Sequence, residues 1–190
     1  MAYISEHEIN KIGLKSYGKN VLISDKAVFY YPENISIGNN VRIDDFCVLV
    51  GNIIIKDYIH MALFSCLLSN KNSFIEMNDY SGISYQSIIF TSTDDFSGQF
   101  LTNPTIPNML RNVKSKSITI GKHCLIGAGS LVYPGANMGE GAALGAKSFL
   151  TLPAKPWKIY LGNPAYPINE RDKKLLVLEE ELKSIQKQKL

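Results

Sequence analysis

The side chains able to do chemistry are few, and several of them cluster. Three histidines are present, His7, His60 and His123. His7 falls in a short N-terminal segment expected to be solvent-exposed, whereas His60 or His123 could serve as a base or hold a ligand. The string FTSTDDFSG places Ser92, Asp94 and Asp95 together, and Ser84 and Tyr85 closely precede it. Carboxylates beside hydroxyls can hold a cation, orient a nucleophile or pass on a proton. The same residues in an SxDD string can also simply cap a turn, which is the structural alternative. Cys47, Cys66 and Cys124 are odd in number and lack CxxC spacing. That pattern fits a reducing cytoplasm and free thiols rather than disulfides, and none of the three is expected to be a covalent nucleophile. A metal site would need three converging ligands, and two histidines far apart in sequence do not supply them, so none is expected.

These residues must be positioned by a frame, and composition bounds it. The chain has 190 residues, 45% apolar and 19% charged. That suits one domain with a real core, and neither disorder nor a membrane protein. No apolar run approaches the roughly 18 residues of a membrane span, and MAYISEHEIN lacks the basic and apolar regions of a secretory signal. The net charge of +3 is too weak and dispersed to argue for nucleic acid.

The frame itself is written as a repeat. Every sixth residue from Ile37 is a large aliphatic or Met: Ile37, Ile43, Leu49, Ile55, Met61, Leu67. After four extra residues the series resumes at Met77, Ile83, Ile89, and after a long break at Ile120, Ile126, Val132, Met138, Leu144, Leu150. At this apolar content such a series would arise by chance on the order of once in 10⁵ trials or fewer. The position four residues further on is small or β-branched, from Val41 and Cys47 through Ser81, Ser87 and Thr93 to Ala142 and Ser148. Lys71 is the exception, inside the four-residue insertion. A six-residue period is neither helical nor a simple alternation. It fits short strands joined by tight turns, with one inward side chain per face and three faces per 18-residue coil. Five full coils are expected, with a partial one from Ile23.

The remaining segments fall outside the repeat. Residues 1–34 are expected to form an N-terminal cap and that partial coil, with Ser5 capping a helix over 5–13. Residues 35–154 carry the repeat, interrupted by a long loop at 90–117. Residues 155–190 end in a helix from about Asn169, with Leu175, Leu178, Leu182 and Ile185 as an apolar seam and Glu179–Lys183 as an i,i+4 pair.

The hexads resemble those of the hexapeptide-repeat acyltransferases. The resemblance implies an all-β solenoid, a left-handed parallel β-helix with an extended loop and a C-terminal α-helix. IGKHCLIGAGSLVYPGANMGEGAALGAKSFL together with GNPA resembles the family's acyl-CoA-binding end. That implies a pantetheine arm lying along Ala128, Gly129 and Ala146 in a groove between subunits of a homotrimer, with Asn163 beside it. Lys147 and Arg171 suit the nucleotide phosphates, although both could be ordinary surface cations.

The family's hydroxyl-acetylating members often carry a histidine on or near this loop, and here the loop has none. An amine needs less help than a hydroxyl, because at an ordinary pKa of about 8 a fair fraction is already neutral. YSGISYQSIIFTSTDDFSGQFLTNPT, GLKSYGKNVLIS and PENISIGNNVRIDDFC are similar to the N-acyltransferases of anthrose and viosamine biosynthesis, which act on nucleotide-linked 4-amino-4,6-dideoxyglucose. The resemblance implies direct attack of a nucleotide-linked sugar amine on acetyl-CoA or another short acyl-CoA, in the cytoplasm, for surface polysaccharide. Asp94 would orient the amine with Ser84 helping, His60 would be the reserve base, and Tyr85, Ser92 and Asp95 would contact the sugar nucleotide. Two alternatives stand: a sugar O-acetyltransferase with His60 as base, and a non-catalytic trimeric scaffold.

Overall fold

The structure, a computed structural model, describes residues 2–187. Residue 1 and residues 188–190, which belong to the expected terminal segments, lie outside the described residues. Short parallel strands stack in three sheets that form the faces of a prism. The first face carries Ser16–Tyr17, Ile35–Ile37, Ile53–Ile55, Ile75–Met77 and Ile118–Ile120, and continues through bridges to Met138 and Ala154. The second runs from Leu22–Ile23 through Arg42–Ile43, His60–Met61, Gly82–Ile83, Leu125–Ile126 and Ala143–Leu144 to Lys158–Gly162. The third runs from Val28–Tyr30 to Phe149–Leu150. This is a left-handed parallel β-helix of about seven coils.

The hexads account for its core. Ile37 stands over Ile55, Ile43 over Met61 and Leu49 over Leu67, in register from coil to coil. All the six-residue positions from Ile37 to Leu150 are buried. Burying an aliphatic of this size contributes about 1.5–3 kcal/mol, so the columns hold the prism together. The corners between the first and second faces take left-handed backbone at Asn40, Tyr58, Tyr80, His123, Gly141 and Trp157. Such angles are uncommon for bulky side chains. Here the repeat imposes them, and Tyr58, Tyr80 and His123 stack upon one another in return, with ring centroids 4.8 and 5.1 Å apart.

The expected outline needs four corrections. The first coil is complete, because Tyr17, Ile23 and Phe29 occupy all three faces, and a further partial coil follows at Ala154 and Tyr160. Aromatics and alanine at those rungs hid them from an aliphatic search. Thr93 is not an inward corner, because the chain has already left the prism and pairs Thr93 with Lys114 in a hairpin at the loop's base. The C-terminal helix starts at Lys174, not Asn169, because Ala165–Glu170 folds back as an antiparallel strand on Lys158–Gly162. Finally, the seam of that helix is polar in part. Glu179 is buried, while Leu178 and Ile185 are half-exposed.

The N-terminal helix α1 spans Glu6–Ile12 with a full capping box between Ser5 and Glu8, and Ile9 seals the first coil. The C-terminal helix α2 spans Lys174–Lys187. It lies along the aromatic corner, where Lys122, His123 and Lys183 all reach Glu179, and Gln186 hydrogen-bonds the Tyr58 hydroxyl.

Candidate active site

Gly82 interrupts the outward row of the second face. Its register neighbours are His60 on one side and Leu125 on the other. With no side chain at Gly82 and only a methyl at Ala62, a cleft of about 250 Å³ opens there, lined by His60, Ala62, Gly82, Ile83, Ser84, Tyr85 and Leu125. Three of the expected residues, His60, Ser84 and Tyr85, thus meet in one place. The backbone amide of Ser84 is held by Ile126, but its hydroxyl has no hydrogen-bond partner among the described residues. Tyr85 is exposed.

His60 does not stand alone. Its Nε2 lies 2.8 Å from Oδ2 of Asp44, whose other oxygen takes Arg42 Nε at 2.7 Å and the Tyr3 hydroxyl at 3.2 Å. Asp44 is buried at 1% exposure. Burial works against its charged form, but the hydrogen bonds from Arg42 and His60 win and hold its carboxyl below the ordinary range. Sequence reasoning passed over Asp44. The signal was present, because an 18-residue coil sets Arg42 beside His60 and Asp44 two residues on.

The loop is a separate structure. Asp94 accepts from the Asn103 amide at 3.1 Å and from Arg111 Nη2 at 3.4 Å, and its side chain is about a third exposed. Asp95 is buried, accepting from the Ser97 amide at 2.7 Å and Asn112 at 2.8 Å, with Lys114 at 3.4 Å. Ser97 chiefly, with Asn112 and Lys114, holds the Asp95 carboxyl down at about 2 against its burial. Ser92 sits in the hairpin opposite Ser115. No residue of the loop lines the Gly82 cleft within one chain.

The residues expected at the CoA end divide between two corners. Gly129 and Lys147 share the corner of the second and third faces with Tyr85. The Gly129 amide donates to the Tyr85 carbonyl and the Lys147 amide to that of Ala128, both at 2.8 Å. Gly129 has φ +68, and a Cβ there would meet the Lys147 side chain at 3.0 Å, so the lysine stem lies across the glycine. Ala146 and Lys147 are exposed. Asn163 lies in the turn between the last two strands, after Gly162, whose amide donates to Ser148 Oγ at 3.0 Å. Arg171 is on the other corner, its Nη1 bonded to the carbonyls of His123 at 2.7 Å and Gly141 at 3.0 Å.

His123 departs from expectation. The sequence left it open as a base or ligand residue, yet it is 7% exposed, stacked on Tyr80 and hydrogen-bonded to Glu179 Oε2 at 2.7 Å. Helix α2 covers it. Burial disfavours the thiolate at all three cysteines, pushing Cys124 up to about 12 and also raising Cys47 and Cys66. Among the described residues no three His, Cys, Asp or Glu side chains converge as metal ligands.

No protein-family model matches the chain. A curated dTDP-4-amino-4,6-dideoxy-D-glucose acyltransferase of Escherichia coli is 46% identical over 182 residues, covering 94% of each protein. The crystal structure of AntD, an N-acyltransferase from Bacillus cereus, in complex with dTDP and 3-hydroxybutyryl-CoA matches with a TM-score of 0.94. It is 46% identical and covers 97% of this chain and 98% of that one. A Ser-to-Cys variant of AntD in complex with dTDP-4-amino-4,6-dideoxyglucose and coenzyme A matches with a TM-score of 0.93, at 46% identity over 96% and 97% of the two chains.

Proposed function

Since the chain belongs to the dTDP-4-amino-4,6-dideoxyglucose acyltransferase family of hexapeptide-repeat enzymes, we propose that it moves a short acyl group from CoA to the amino group of a dTDP-linked 4-amino-4,6-dideoxysugar. The observation that carries this to particular residues is the free Ser84 hydroxyl in the Gly82 cleft.

The transfer is direct. The amine attacks the thioester carbonyl, a new C–N bond replaces the C–S bond, and CoA leaves as the thiol. No side chain need be acylated, which agrees with thiols held protonated by burial. Ser84 hydrogen-bonds the amine, and Asp94 holds it as the ammonium before attack. Because the loop does not reach the cleft of its own chain, Asp94 serves the cleft of a neighbour in a homotrimer. Holding both reactants in one crevice supplies much of the rate enhancement. The pantetheine arm follows the small residues Ala146, Ala128 and Gly129 toward Ser84, with Lys147 at the phosphate end and Asn163 alongside. Tyr85, Ser92 and Asp95 border the sugar nucleotide, Asp95 by fixing the loop. Arg171 holds backbone carbonyls and supports this end from behind.

The enzyme works in the cytoplasm, where CoA thioesters and nucleotide sugars meet and three free cysteines stay reduced. No helix among the described residues is long and apolar enough to cross a membrane. Its product serves surface polysaccharide assembly.

The test follows thiol release from acetyl-CoA with dTDP-4-amino-4,6-dideoxyglucose and with its 4-hydroxy counterpart. Release with the amine alone, and a product heavier by one acetyl group, is expected. Release with the hydroxyl sugar alone would replace N-acylation by O-acylation, and silence with both sugars and with longer acyl donors would defeat the reading.

A further inference from the structure

The six-residue series is broken by four extra residues between Leu67 and Met77, and the proposed transfer gives them no task. The structure puts them at one particular corner. They bulge between Leu68 and Ile75, whose register partners in the next coil are Phe90 and Ile118. Those partners are the residues at which the long loop leaves the prism and returns to it. We infer that this insertion is a bracket for the loop, and that Asn70 within it is a positioning residue that aims Asp94 at the cleft of the neighbouring subunit.

The need for a bracket follows from the stem of the loop. That stem is a hairpin of only two residues per strand, Ser92–Thr93 on Lys114–Ser115. An isolated two-stranded hairpin is marginal in water even at greater length, so this one cannot set its own direction. Asp94 follows directly on it. Within the loop the Asn103 amide and Arg111 hold the Asp94 carboxylate. Both travel with the loop, however, and neither fixes its place relative to the coils.

The insertion grips both sides of the stem. On the outgoing side the Ser73 and Thr91 hydroxyls meet at 2.7 Å, and both residues are buried. On the returning side Asn70 Nδ2 donates to Ser115 Oγ at 2.8 Å, and the Phe74 amide donates to Ser117 Oγ at 3.2 Å. Asn70 is itself held in place. Its Oδ1 accepts from the Asn72 amide and from the Ser73 hydroxyl, both at 2.9 Å, and its carbonyl accepts from Asn52 Nδ2 of the coil before at 3.1 Å. A carboxamide both donates and accepts, so one side chain joins the insertion to the two ends of the loop. Ser115 in turn stands opposite Ser92, two residues before Asp94. A shift of about 1 Å in a group that orients a reactant can cost on the order of 10²-fold in rate, so a bracket at the stem acts on the transfer itself.

The inference rests on the reading that Asp94 serves a neighbour's cleft. Steady-state kinetics of the full chain with acetyl-CoA and dTDP-4-amino-4,6-dideoxyglucose test it, using N70A, S115A, their double variant and D94N. N70A should lower kcat/KM for the amino sugar about tenfold and leave KM for acetyl-CoA within about twofold, because the residues assigned to CoA stand on later coils. S115A leaves every bond inside the insertion in place and should show the same split, so it decides the matter even if N70A fails to fold. The double variant should be no worse than N70A alone, since both remove one contact. A kcat/KM within about threefold of wild type in either single variant that folds overturns the inference. Equal losses toward both substrates, or losses that multiply in the double variant, overturn it as well. A D94N enzyme with wild-type kcat/KM instead removes the parent role of Asp94, and the aiming with it, so the two failures are told apart by D94N alone.

Discussion

His123 Nε2 lies 2.7 Å from Glu179 Oε2, and this contact seats the C-terminal helix on the prism. Glu179 also takes Lys122 at 2.6 Å and Lys183 at 2.7 Å, so one buried carboxylate joins the β-helix to α2. Gly141 makes the approach possible from above. A side chain there would strike the Trp157 ring at 2.4 Å, and with none present the indole lies over the corner.

Glu179→Gln should therefore loosen the helix more than the prism. Burial opposes the charge of Glu179, but Lys122, Lys183 and His123 overcome it and hold the carboxyl at about 2. A folded value below the ordinary glutamate value gives stability that is complete above about pH 5. It is lost as the pH falls through the folded value near 2. The variant should lose about 2 kcal/mol, or about 4–8 °C in Tm, near neutral pH, and differ less from wild type at pH 3. Thermal unfolding followed by circular dichroism at both pH values checks this.

Asp95 should matter to the loop and not to the coils. Its oxygens are bonded to Ser97 and Asn112, with Lys114 beside them. Asp95→Ala is expected to speed proteolysis between residues 96 and 110 and to cut kcat/KM about tenfold or more, with the main unfolding transition little moved. Limited proteolysis with peptide mapping would show a wild-type pattern if the loop does not depend on Asp95.

At Gly82, size and not backbone should decide the outcome. A Cβ would meet nothing nearer than His60 O at 3.8 Å and Leu125 Cδ1 at 3.9 Å. Gly82→Ala should fold as well as wild type, helped slightly by a better strand former. Gly82→Leu should also fold, but its side chain fills the cleft and should lower kcat/KM by about 10²-fold. Paired Tm and kinetic measurements on the two variants separate cleft blocking from misfolding.

Thiol chemistry should leave the enzyme active. Cys47 and Cys124 are buried, and burial raises both thiols, Cys124 to about 12. In native protein, titration with a disulfide reagent should find at most Cys66, and all three only after unfolding. Activity surviving iodoacetamide treatment would agree with transfer that uses no acyl-cysteine. Stoichiometric inactivation would contradict it.

The coil was legible because a solenoid repeats one local solution. Each hexad buries one aliphatic and turns once, so the period is printed in the chain, and Ser84, Tyr85 and His60 could be placed on it by counting. Rungs built from Tyr17, Phe29 and Tyr160 were not legible, since the fold asks only for bulk inside and an aromatic meets that need as well as isoleucine. The start of α2 was misplaced because Ala165–Glu170 carries no strand signature of its own. It is a strand only because the edge Lys158–Gly162 offers it hydrogen bonds.

The sequence by itself determined the three-sided prism, the interruption that becomes the loop, and the places of His60, Ser84 and Tyr85 on the coils. The tertiary structure alone decided what each ionisable group faces. His60 and His123 both stand on the coils, yet one meets Asp44 beside a glycine notch and the other lies under a helix against Glu179. Asp94 and Asp95 are adjacent, yet one is partly exposed and the other buried in its loop. Those differences come from neighbours many residues away. A charge takes its properties from everything within a few ångströms, and sequence order does not record that distance.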